Sequence, residues 1–114
     1  MSVKINKRDV SGITVVELGG RLTLGDASQQ LRETLRELIT QGKKNIVLNL
    51  ANVGYIDSSG LGELVSGFTT VRNQGGQLKL ASLTQKVSDL LTITKLYTVF
   101  EVHSDEQAAV RSFR

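Results

Sequence analysis

Asn45-Ile46-Val47-Leu48-Asn49-Leu50, followed after a short apolar segment by Asp57-Ser58-Ser59-Gly60-Leu61-Gly62, decides how this chain folds. The first run is nearly continuous in apolar and β-branched residues, which is how a strand covered on both faces of a parallel sheet reads. Ala51 to Asp57 reads as a turn or loop with Val53, Tyr55 and Ile56 packed beneath it. A second helix is expected from about Ser58 or Ser59, with Leu61, Leu64, Val65, Phe68 and Val71 on its apolar face. Gly62 and Gly67 lower its intrinsic propensity. Gly60 and Gly62, at its start, leave room for a tight helix–sheet contact or for a partner surface close to the backbone.

Upstream, Val3 to Asp9 partly alternates, and Ser11-Gly12 turns it into Ile13 to Leu18, a hairpin whose second strand Gly19-Gly20 ends. Arg21 to Gly25 follows as a short extended or looping segment. Ala27, Leu31, Leu35, Leu38 and Ile39 then recur at helical spacing, with Asp26 as the expected cap and Gly42 as the stop. Downstream, Asn73-Gln74-Gly75-Gly76 turns into the strand Gln77 to Leu80. Ser82 or Thr84 caps a third helix that carries Val87, Leu90 and Leu91 inward. Phe100 to Val102 reads as a last strand, and Ser104 to Gln107 fits a capping box before a terminal helix with Ala108, Val110 and Phe113. The order β-β-α-β-α-β-α-β-α predicts an α/β fold on a mostly parallel sheet that opens with a hairpin.

A chain of 114 residues, 39% of them hydrophobic, has material for one aliphatic core, so one domain over residues 1–114 is expected. The absence of cysteine excludes disulfides and thiolate chemistry. The first residues, with Lys4 and Lys7 among them, do not resemble a secretion signal, and no run approaches the roughly 18 apolar residues that span a bilayer. A cytoplasmic protein without direct membrane contact is expected. The charge of +3 is scattered and lacks interleaved aromatics, which argues against direct nucleic-acid binding.

Catalytic arrangements are missing from the pattern. His103 is the one histidine and sits between a strand end and a helix cap, which suits a surface or structural role. Asp57 lies at a strand-to-helix junction without a second carboxylate nearby in sequence, and the glycines around it match neither a phosphate loop nor a dinucleotide fingerprint. No enzyme activity, cofactor or metal is expected. What remains is the pair Ser58-Ser59 at a helix start, where one hydroxyl can cap while the other faces solvent. A phosphoryl group there would meet the positive end of the helix and add about −1.5 to −2 charge to the surface.

Asp57-Ser58-Ser59-Gly60-Leu61-Gly62, preceded by Ile46 to Leu50 and by Val53-Gly54-Tyr55-Ile56, resembles the signature of bacterial anti-sigma-factor antagonists, the single-domain members of the STAS family. The likeness runs from the opening hairpin through Gly19-Gly20-Arg21-Leu22 to Leu78-Lys79-Leu80, Leu90 and Phe100. It implies a mixed, mostly parallel sheet of four or five strands with about four packed helices. It also implies partner switching: the unphosphorylated antagonist binds an anti-sigma factor that is a serine kinase of the histidine-kinase-like ATPase fold, and a sigma factor is released. Phosphorylation by that kinase weakens the complex, and a metal-dependent serine phosphatase restores the hydroxyl.

On that resemblance Ser58 is the phosphorylation site and Asp57, Ser59, Gly60, Leu61 and Gly62 form the partner-binding surface. Asp57 would hold the loop, Ser59 would cap or tune the helix, Gly60 and Gly62 would permit close approach, and Leu61 would be an exposed apolar contact. Members of the family are commonly acidic, so the positive charge of this chain bears on which partner it meets. The alternative is a non-switching STAS interaction subunit, for example of a stress-signalling or lipid-transport complex.

Overall fold

The computed structural model describes residues 3–113. Its elements are β1 (Lys4–Val10), β2 (Ile13–Leu22), α1 (Asp26–Thr40), β3 (Asn45–Ile56), α2 (Ser58–Asn73), β4 (Gln77–Ala81), α3 (Gln85–Thr94), a 3-10 turn (Leu96–Thr98), β5 (Val102–His103) and α4 (Glu106–Arg111). They form an α/β fold on one five-stranded sheet in the order β1-β2-β3-β4-β5, antiparallel between β1 and β2 and parallel thereafter. The sheet grows in one direction, so right-handed crossovers put α1, α2 and α3 on the same face. Beneath them lies the main core, with Leu31, Leu35, Leu48, Leu50, Leu64, Leu80 and Leu91 among its buried residues. The chain returns across the opposite face as α4, which seals Val15, Val47 and Ala81 with Ala109, Val110 and Phe113.

The hairpin turn has Ser11 and Gly12 both at positive φ between paired Val10 and Ile13, the two-residue geometry whose twist matches the strands it joins. At the end of α1, the Gly42 N–H donates to the Ile39 carbonyl and the Lys43 N–H to the Leu38 carbonyl, both at 2.9 Å. This is a Schellman close, which Gly42 permits at φ +80.

Several boundaries differ from the sequence expectation. β2 does not end at Gly19-Gly20 but runs to Leu22, with irregularities in its pairing at both glycines. β3 likewise continues through Ala51–Ile56, where a loop was expected. The two extensions pair with each other as far as Leu22↔Ile56 and bury Leu22, Val53 and Ile56, a tertiary gain that outweighs weak local strand signals. The last strand is Val102–His103, two residues long and shifted from Phe100, whose ring instead enters the core against Phe68. Gly25, not Asp26, is the N-cap of α1, and Asp26 makes no side-chain cap bond. Asp105, not Ser104, caps α4 by accepting from the Ala108 N–H at 2.8 Å, while Thr84 caps α3 as one of the two expected residues.

Candidate functional site

The strand extensions carry the chain to the end of the sheet where β2, β3 and β4 all finish, the place at which open α/β sheets collect their loops. Leu22 and Ile56 are paired there, and the Asp57 N–H donates to the Leu22 carbonyl at 3.3 Å. The Asp57 carboxylate then bridges two loops. One oxygen accepts from the Gly60 N–H at 2.8 Å and the other from the Leu24 N–H at 3.1 Å. These backbone donors, Gly60 first and Leu24 second, hold its carboxyl below the usual value of 3.8.

Asp57 is therefore the N-cap of α2, and neither serine caps it, contrary to the expectation that one of the pair would. The carboxylate wins because it satisfies a donor from each side of the junction, which neither hydroxyl is shown to do. Ser58 occupies the first helical position and is exposed; its hydroxyl makes no hydrogen bond to protein among the described residues. Ser59 follows, half-buried.

The two glycines have different surroundings. A Cβ at Gly60 would stand 2.0 Å from the Leu22 carbonyl oxygen and 3.0 Å from Ile56 Cγ1, so this residue lets the helix start press onto the sheet. A Cβ at Gly62 would meet nothing within 4 Å, and the position is exposed. Leu61 is buried at 6% exposure, which corrects its expected role as an exposed apolar contact; its side chain points into the core, as the helical period places it.

Sequence reasoning passed over two features beside the serine. Leu24, in the β2–α1 loop tied to Asp57, is 77% exposed. Its signal was a lone large apolar side chain between Thr23 and Gly25. Tyr55, three residues before Ser58, carries the Arg21 guanidinium at 4.3 Å from its ring centre and the Lys86 ammonium at 5.4 Å, so β2, β3 and α3 gather two cations on one aromatic ring. Only the fold brings those three together. Beneath the site, Arg32 of α1 grips buried Glu63 of α2 with two hydrogen bonds of 2.8 and 3.3 Å.

His103 lies half-buried against Glu101 at 2.6 Å. Among the described residues no three His, Cys, Asp or Glu side chains converge as metal ligands, and no helix is long and apolar enough to cross a membrane.

The start of α2 thus presents an exposed serine next to a capping carboxylate that also holds the loop carrying exposed Leu24. The model of the STAS domain matches residues 4–109. Over 111 residues the chain is 33% identical to the anti-sigma-B factor antagonist of Bacillus subtilis (strain 168), covering 97% of this chain and 96% of the relative. An anti-sigma factor antagonist from Mycobacterium paratuberculosis superposes with a TM-score of 0.87 at 16% identity, covering 97% of this chain and 93% of that one. The Bacillus cell fate determinant SpoIIAA in its phosphorylated form does so at 0.75 and 21% identity, covering 97% and 100%. The chain belongs to the STAS domain family, with the anti-sigma-factor antagonists.

Proposed function

We propose that this protein is an anti-sigma-factor antagonist whose docking surface is switched by phosphorylation of Ser58. In the unmodified state it binds an anti-sigma factor that is also a serine kinase with the histidine-kinase-like ATPase fold. The modified state releases that partner, and a serine phosphatase resets it. The reading is supported by the family, by the names of the relatives, and by the solution of SpoIIAA in both unphosphorylated and phosphorylated forms.

The single observation that carries it is the division of labour at the start of α2: Asp57 takes the cap, leaving the Ser58 hydroxyl exposed and without a protein partner. A serine that only docked constitutively, with its hydroxyl as a cap, would have no such surplus. Ser58, Ser59 and Gly62 would meet the partner, with Leu24 as the apolar contact; Asp57, Gly60 and Leu61 would fix the helix that presents them. ATP and its phosphoryl-transfer electrostatics belong to the kinase, and this chain supplies the acceptor oxygen.

Incubation with the kinase and ATP should add one phosphoryl group, lost in Ser58→Ala, and the modified protein should bind the kinase more weakly. No gain in mass with a kinase active on another substrate would refute the proposal. Ser58→Asp separates switching from constitutive docking: a switch loses affinity at unchanged thermal stability, whereas a constitutive surface keeps both.

A further inference from the structure

The two edges of the sheet are treated differently by the sequence. β1 is seven residues long and studs its open edge with exposed Lys4, Lys7, Arg8 and Asp9, which discourages strand addition. At the other edge β5 covers only the end of β4, pairing Leu80↔Val102 and Ala81↔His103. In β4 the backbone groups of alternate residues face alternate sides. Gln77 donates toward Lys44 beside β3, whereas Leu80 donates toward Glu101 on the β5 side. The N–H and C=O of Leu78 share the orientation of Leu80 and have no partner on that side among the described residues. The chain that would have paired with them turns away, because Phe100 is drawn into the core and Val99 closes the 3-10 turn onto the Leu96 carbonyl.

The gap left behind is a cavity of about 290 Å³ between the second half of α2 and the approach to β5. Phe68, Leu78 and Val99 line it with apolar surface, and Val99 is 38% exposed. Arg72 stands on its rim, exposed and in no ion pair among the described residues, whereas Glu101 across the gap is already engaged by Lys79 and His103.

We infer that this groove is a second interaction site, which takes a short extended segment of another protein, apolar at alternate positions and carrying an acidic side chain for Arg72. The unpaired amide and carbonyl of Leu78, a residue only 2% exposed at the wall of the groove, call for an extended backbone, the Phe68–Val99 walls for apolar side chains, and the free guanidinium sets the sign of the charge. The site lies at the C-terminal end of α2, away from Ser58 at its other end, so the inference stands whether or not Ser58 is a switch.

The test titrates the ¹⁵N-labelled full chain with acetyl-Glu-Val-Thr-Val-Thr-Val-amide. In the free protein the Leu78 N–H should exchange faster than that of Leu80. With the peptide, the amide signals of Gln77, Leu78 and Val99 should move and Leu78 exchange should slow. A lysine-for-glutamate peptide should bind about threefold more weakly, in line with an exposed ion pair, and Arg72→Glu should reverse that order. No movement at Leu78 at millimolar peptide would overturn the inference. So would equal binding by a peptide with proline at the central valine, which lacks the donor. Movement of the same signals on concentrating the protein alone would assign the groove to a second copy instead and would also overturn it.

Discussion

Replacing Gly60 and Gly62 by alanine in turn separates two uses of glycine in one helical turn. At Gly60 the added methyl would lie 2.0 Å from a backbone oxygen, against the 3.4 Å at which ordinary contact begins, so more than an ångström must be found. The obstacle is the carbonyl of Leu22, fixed in the β2–β3 ladder, and not a side chain that can swing away. Relief has to come from lifting the start of α2, which also stretches the Asp57 bonds to Gly60 and Leu24. Overpacking against such a neighbour costs about 3 kcal/mol or more, which for a domain of this size lowers Tm by about 12 °C.

At Gly62 the same methyl enters open space in an exposed helical position. There the gain in helix propensity, about 0.8–1 kcal/mol, should raise Tm by about 4 °C. Urea unfolding followed by circular dichroism, with thermal melts alongside, gives both signs. A Gly60→Ala protein within about 3 °C of the parent would refute the packing argument, as would a destabilised Gly62→Ala. If Gly62 also meets the partner, Gly62→Ala will bind the kinase more weakly while being the more stable protein.

Ser58→Ala should change stability by less than about 0.5 kcal/mol, because the hydroxyl has no protein partner to lose; a larger loss in urea unfolding would show that it holds the fold. Asp57 has a lowered folded pKa, so its contribution is present above the unfolded value of 3.8 and disappears as pH falls through the folded one. Protection of the Gly60 and Leu24 amides, taken relative to intrinsic exchange at each pH, should fall in that acid range, and Asp57→Asn should remove this pH dependence; an unchanged acid profile in Asp57→Asn would contradict it. Lys79, buried at 4% exposure, bonds the Ser112 hydroxyl at 2.7 Å and sits 4.4 Å from the centre of the Phe113 ring. Lys79→Ala should cost about 1–3 kcal/mol through lost packing and hydrogen bonds, with faster exchange of α4 amides as the specific sign; a loss spread evenly over the sheet would show that Lys79 does not specifically hold the C-terminal segment.

The elements and their order were legible because they rest on signals longer than a turn: the continuous apolar run at Ile46–Leu50, the Leu31–Leu35–Leu38 spacing, and the glycines after the first two helices. Their ends were less so. β2 and β3 each continue through residues with poor strand character because each supplies the other's missing partner, and pairing between segments thirty residues apart has no local trace. Caps were misread by one residue wherever candidates stood side by side, as at Gly25-Asp26, Asp57-Ser58 and Ser104-Asp105. At Asp57 the choice depends on a second donor brought by the fold, the Leu24 N–H. Leu61 shows the opposite failing: the helical period placed it inward, and only the role implied by resemblance placed it on the surface.

That arrangement bears on how a switch could act without refolding. The cap on α2 is a carboxylate, ionised at neutral pH as carboxylates ordinarily are, so the helix end already holds one anion when Ser58 is unmodified. A phosphoryl group on the next residue would bring about −1.5 to −2 more. Part of that charge would be stabilised by the positive end of the helix. Because Asp57 and Gly60 fix the junction from beneath, no buried side chain needs to move to accept the change. A partner that docked on exposed Leu24 and a neutral hydroxyl would instead face a hydrated anion, which must be stripped of water or paired before the apolar contact can close.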